Sequence, residues 1–200
     1  VPPPGPGLPV WTGCHRLELE AVSFFRRLRD RFRGKKMTTI LAGHRAPDFS
    51  LPATSGKIVS LSEQLKTGPV VLAFYKISCP VCQYTFPFLE RIHKACEDTS
   101  ASVLGISQDD RADSLEFMKE YGISFPSLID APNYTVSNAF GLTNVPTVFL
   151  IQPDGQVTVS SMGFEKAALE AIARELAQHT GRPVAQVFLP EESVPDYKPG

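Results

Sequence analysis

One stretch limits the fold more than any other. Residues 70–87 read Val-Val-Leu-Ala-Phe-Tyr-Lys-Ile-Ser-Cys-Pro-Val-Cys-Gln-Tyr-Thr-Phe-Pro. Val70 to Tyr75 are apolar or β-favouring without alternation, the pattern of a strand covered on both faces. A three-residue link, Lys76-Ile77-Ser78, leads to Cys79-Pro80-Val81-Cys82, which opens a helix expected to run to about Glu97 and to kink at Pro87. Pro80 suits the first helical position, where a missing N–H costs nothing and a fixed φ is already helical. Cys79 is then the N-cap, its sulfur close to the free amides of Val81 and Cys82 at the positive end of the helix dipole, where a thiolate is stabilised. Two cysteines separated by two residues at such a junction can close and reopen a disulfide with little backbone movement.

The rest of the chain supplies a setting for that junction. Its 200 residues, 42% hydrophobic, suffice for one domain with a sizeable core plus appendages. Residues 1–36 carry eight Lys/Arg against three Asp/Glu, and residues 37–200 carry twelve against eighteen. The body therefore has no basic excess to suggest nucleic acid. Four cysteines, two of them closely spaced, do not make a small secreted disulfide framework. No apolar run is long enough to span a membrane, and Pro and Gly interrupt any signal-like apolar region at residues 2–9.

Residues 1–16 are Pro/Gly-rich and expected to be disordered. Leu17 to Lys36 has two readings. It can form a basic amphipathic helix for a membrane surface or a partner, with Val22, Phe25, Leu28 and Phe32 on one side. Alternatively, Met37-Thr-Thr-Ile is an ordinary translational start and residues 1–36 are not native. Mass spectrometry of the N-terminus of the natively expressed protein separates the two.

From Gly43 onward strands and helices alternate. A hairpin is expected around Thr54-Ser-Gly56, with a short helix capped by Ser60 or Ser62 after it. A second buried strand is expected at Ser102–Ser107, and a helix at Ala112–Tyr121 with Leu115 and Met118 inward, stopped by Gly122. A short strand at Pro126–Asp130 and a short helix at Thr135–Phe140 follow. Thr147–Ile151 and Gln156–Ser161 form a hairpin across Pro153-Asp-Gly155. An amphipathic helix over Glu165–Gln178 buries Leu169, Ile172, Ala173 and Leu176, and Gly181 ends it. The Pro-rich tail 181–200 is expected to be loosely attached. The whole is an α/β sheet covered on both faces.

These residues resemble a known family. Cys79-Pro-Val-Cys82 after a buried strand, with Val145-Pro146-Thr147 leading into another strand, resembles the thioredoxin fold. Ala46-Pro-Asp-Phe-Ser-Leu-Pro, the Gly56-Lys57 turn and the strand–helix unit near 102–130 resemble more specifically the TlpA-type redoxins. Those belong to the wider group shared with the alkyl hydroperoxide reductase/thiol-specific antioxidant proteins. Over residues 43–180 the resemblance implies a central mixed β-sheet with helices on both faces, an N-terminal β-hairpin extension and an inserted strand–helix unit.

It also implies roles. Cys79 would attack a substrate disulfide and Cys82 would resolve the mixed disulfide. Pro146 would be a cis-proline aiming the Val145 backbone at a passing peptide, which pairs like an added strand; the plain alternative is a trans proline at a strand entrance. Pro80 and Val81, beside the sulfurs, would join Val145 and Pro146 in holding substrate. The implied activity is thiol–disulfide exchange with disulfides of partner proteins or small thiols. It would use an upstream thiol reductant and no dissociable cofactor, in a monomer; many relatives work in the periplasm, but no export signal is visible here and a cytoplasmic setting is expected.

The sequence departs from the family at several positions. Ser78 stands where thioredoxins place Trp, and Pro-Val replaces Gly-Pro between the cysteines. Ala73 and Thr85 occupy the positions of the two acids that could take the resolving thiol's proton. Lys76 is read either as lowering the pKa of Cys79 or as a solvated lysine.

Two rivals compete with that activity. A thiol peroxidase needs Thr or Ser three residues before its reactive cysteine and Pro further back, where this chain has Lys76 and Leu72. A structural zinc site from Cys79, Cys82, His93 and Cys96 has the right residue types. Yet eleven residues of helix, about 16 Å, would separate Cys82 from His93, and ligands must lie within about 2.3 Å of one metal. No metal is therefore expected. His15, His44 and His179 read as surface residues, Cys14 as irrelevant, and Asp109, Asp110 and Asp113 as a solvated loop and helix start.

Overall fold

The computed structural model describes Val1 and residues 38–200, so the disordered or helical readings of the N-terminal extension lie outside the described residues. The centre is β3 (Val70–Tyr75), in which all six residues are buried. Successive side chains point to opposite faces. Val71, Ala73 and Tyr75 enter one core, and Val70, Leu72 and Phe74 enter the other. The absence of alternation in the sequence thus reports two covered faces rather than one.

Five strands form the main sheet in the order β5-β4-β3-β6-β7. β4 (Ser102–Ser107) is parallel to β3, and β5 (Ser127–Ile129) is parallel to β4. β6 (Thr147–Ile151) runs antiparallel to β3, and β7 (Val157–Met162) antiparallel to β6, across a turn where Gly155 takes φ +84°. The expected hairpin extension is present as β1 (Ser50–Pro52) and β2 (Ile58–Ser60). Other segments bond to the start of each edge strand: Thr54 N–H donates to the Ser127 carbonyl at 2.8 Å on the β5 side, and Gly43 N–H to the Val157 carbonyl at 2.8 Å on the β7 side.

On the first face lie α2 (Pro80–Ala95), through Phe86, Leu89 and Ile92, and α5 (Lys166–Thr180), through the four residues expected to be inward. On the second lie α1 (Leu61–Thr67) and α4 (Thr135–Ala139), with Phe49, Phe140 and Phe149. The start of α1 is capped differently from the expectation. Ser60 makes no side-chain cap; the Asp48 carboxylate instead accepts from Ser62 N–H at 2.9 Å.

Two further expectations are corrected. In α3 (Arg111–Glu120), Met118 packs against the core as expected, but Leu115 is 41% exposed, and the fully buried positions are Ser114 and Phe117. The reason is local: the Ser114 hydroxyl donates to Asp110 O at 2.6 Å and meets Ser107 Oγ at 2.8 Å, while the Phe117 ring stacks 4.9 Å from Tyr75. That turns Leu115 outward. The tail is not loosely attached. Val187 is 3% exposed, Phe188 packs 5.0 Å from Phe88, and Arg91 holds Glu192 through both guanidinium nitrogens at 2.7 and 2.6 Å. The tail ends in β9 (Tyr197–Lys198), antiparallel to β8 (Phe164–Glu165).

Candidate active site

The site forms where β3 hands over to α2. Cys79 is the N-cap in extended conformation, with Pro80 as the first helical residue. Cys82 N–H points at the Cys79 sulfur at 3.4 Å, so a free amide of the first turn faces Sγ, as the N-cap geometry requires. The Cys79 thiol donates to the Val145 carbonyl at 3.4 Å. Val145–Pro146 is a cis peptide, as the resemblance implied, and Ala131–Pro132 is a second one that the sequence did not flag.

The two thiols differ in exposure. Cys79 is partly exposed, whereas Cys82 is 0% exposed inside the first core. Burial is the main cause pushing the Cys82 thiol well above its ordinary pKa, with the adjacent Cys79 and the Asp109 charge adding to it. A backbone hydrogen bond from Lys76 works in the other direction. One thiol is therefore reachable, and the other is held protonated one turn behind it.

The link 76–78 is fastened at both of Ile77's backbone groups. Its N–H donates to Asp109 Oδ2 at 2.7 Å, and its carbonyl accepts from Gln83 Nε2 at 2.9 Å. Asp109 is thus more than a solvated loop residue, and Asp110, read as loop, caps α3 by accepting from Asp113 N–H. No sequence signal pointed to Asp109, because its partner lies 32 residues away. The Lys76 side chain is exposed, but its carbonyl accepts from Cys79 N–H at 3.1 Å. Pro80 is exposed, Val81 and Val145 are half-buried, and Pro146 is buried. Thr85, at one of the missing acid positions, donates to the Val81 carbonyl at 2.6 Å.

The zinc constellation does not assemble. α2 runs unbroken through its sixteen residues, putting Cys82 near one end and His93 near the other. The His93 ring packs edge-on against Phe125 at 5.8 Å, and Cys96 is buried at the helix C-cap. Among the described residues no helix is long and apolar enough to cross a membrane.

A mixed sheet carrying a Cys-X-X-Cys helix start beside a cis-proline loop defines a redoxin of the thioredoxin fold. The AhpC/TSA family profile matches residues 42–160, and the chain belongs to that family as a thiol–disulfide oxidoreductase. It is 33% identical over 127 residues to the thiol-disulfide oxidoreductase ResA of Bacillus subtilis (strain 168), covering 63% of this chain and 69% of that one. Among solved structures it resembles a thiol-disulfide oxidoreductase from Bacteroides fragilis NCTC 9343 (25% identity, TM-score 0.59, 66% of this chain and 99% of that one). It also resembles the peroxidoxin BcpB from Mycobacterium tuberculosis (28% identity, TM-score 0.57, 70% and 95%).

Proposed function

We propose that this enzyme passes two electrons through the Cys79–Cys82 pair to disulfides of partner proteins or small thiols. The observation that carries this is the asymmetry of the pair, a partly exposed Cys79 at the helix N-cap and a buried Cys82 one turn on. The Cys79 thiolate attacks one substrate sulfur; the substrate S–S bond breaks, and the first substrate thiolate leaves and takes a proton. Cys82 then attacks the Cys79 sulfur of the mixed disulfide. The second substrate thiolate leaves with the Cys82 proton, since neither Ala73 nor Thr85 offers a carboxylate to take it. The product is a Cys79–Cys82 disulfide and two substrate thiols, and an upstream thiol reductant restores the pair. No dissociable cofactor is needed. The cytoplasmic residence expected from the sequence would set the couple against glutathione, and a reduction potential far below that poise would make it a reductant.

Cys79→Ser should abolish insulin disulfide reduction, and Cys82→Ser should accumulate mixed disulfides visible on non-reducing gels. Full activity of Cys79→Ser refutes the proposal. The likeness to a peroxidoxin favours a second reading, in which Cys79 reacts with peroxide. Stopped-flow oxidation by hydrogen peroxide faster than about 10⁴ M⁻¹s⁻¹ would support it.

A further inference from the structure

The chain beyond α5 returns to the sulfur pair. β9 lies antiparallel to β8, with Phe164 opposite Lys198 and Glu165 opposite Tyr197, and Lys166 N–H donates to the Asp196 carbonyl at 2.9 Å. The Lys198 ammonium sits 4.6 Å from the ring centroid of Tyr84, two residues past Cys82. Two glycines permit this approach. A Cβ on Gly163, at φ +85°, would strike the Lys198 carbonyl and lie 2.9 Å from the Gly200 nitrogen. One on Gly200 would lie 2.5 Å from the Val145 carbonyl oxygen and 2.8 Å from Asn144 Nδ2. That same Val145 carbonyl accepts from Cys79. The segment thus covers the backbone that a peptide adding as a strand would have to reach.

We infer that Asp196–Gly200 is a specificity-determining strap lying in the strand-pairing position beside Val145. Small disulfides reach Cys79 with the strap in place, and extended polypeptides reach it only when the strap lifts. The inference rests on the thiol–disulfide reading and names how its substrates are sorted. Cys79 stays partly exposed under the strap, which leaves room for a compact substrate. The strap is held by a two-residue ladder, the Lys166–Asp196 backbone hydrogen bond and one cation–π contact, with Tyr197 itself exposed, so lifting it is a local event. A ligand that needs the lifted state binds more weakly by the fraction of molecules in that state, and a ligand that does not is unaffected.

The test uses the full chain, a full-length Lys198→Glu/Gly200→Val variant, and a second variant lacking residues 196–200. For each, kcat/KM is measured on oxidised glutathione and on insulin. Independently of turnover, Cys79 alkylation is timed with iodoacetamide and with a maleimide borne on an extended peptide. Both variants should raise the insulin and peptide–maleimide rates by about tenfold or more, while the two small reagents change by less than about twofold. Unchanged insulin and peptide–maleimide rates overturn the strap, as do four rates that move together by one factor in either direction. If the full chain turned over neither disulfide, that would count against the thiol–disulfide reading, and the alkylation pair would still decide the strap.

Discussion

At the start of α2 two cysteines one turn apart meet different surroundings, the first partly in water and the second wholly out of it. Burial raises the Cys82 thiol by removing the water that would solvate its thiolate. Native reduced protein treated with iodoacetamide at neutral pH should therefore be labelled at Cys79 first. Cys82, buried and raised by that burial, should lag far behind it, and the two should label equally in denaturant. Peptide mapping checks this; equal labelling in the folded protein would refute it. Asp109 gives a second prediction. Asp109→Ala leaves the Ile77 N–H without its acceptor and should cost about 1–3 kcal/mol in denaturant unfolding. Asp109→Asn keeps an acceptor oxygen and should recover most of that stability. It also removes the charge that adds to the rise in Cys82, and should lower that pKa. The cysteine pair was legible in the sequence because cap, proline and spacing are neighbours in the chain. Asp109 was not, because the amide it serves comes from a different strand end.

Helices and strands were legible wherever one local rule decided them, as at the fully apolar β3 and at Gly122 and Gly181, which take positive φ just past helix ends. Leu115 was misread because periodicity ranks residues by hydrophobicity and cannot see a serine drawn inward by two hydrogen bonds. The tail was misread because Pro-rich composition says nothing about a surface that α2 and α5 create only after folding. Its anchor is the Arg91–Glu192 pair. The Arg91 hydrogen bonds, joined by the Leu189 backbone N–H, hold the Glu192 carboxyl down to about 2 from its ordinary 4.5. A depressed carboxylate stabilises the folded arrangement fully above its unfolded pKa and loses that stabilisation as pH falls through the folded one. Tail attachment should therefore hold at neutral pH and loosen between about pH 4.5 and 2. Amide protection factors at residues 185–195, which divide out the intrinsic pH dependence of exchange, should report it, falling in that window and, at neutral pH, in Arg91→Ala. Because the pair is partly exposed, salt should weaken it. Protection that is flat across the window would show that Val187 and Phe188 hold the tail alone.

One sheet separates two cores, and β3 belongs to both, so the molecule cannot lose one side and keep the other. Phe86 lies fully buried on the first face between Tyr75, Phe117 and Phe125. Phe149 lies fully buried on the second, against Phe74 and Phe140. Truncating either to alanine removes an aromatic ring and leaves a cavity, at about 3–5 kcal/mol each. If the faces were independent units, Phe149→Ala would melt the α1/α4 side first and leave the cysteine pair protected. The shared strand argues otherwise: Val70, Leu72 and Phe74 cannot leave their core without dragging Val71, Ala73 and Tyr75 out of theirs. Each variant should therefore unfold in a single transition. The loss of near-ultraviolet signal and the exposure of Cys82 to a thiol reagent should share one denaturant midpoint, shifted by about the same amount for the two variants. Cys82 protection that outlasts the unfolding of the Phe149 side would show that the sheet is divided. In a coupled sheet, the stability of the far core sets how long the resolving thiol stays sheltered behind Cys79.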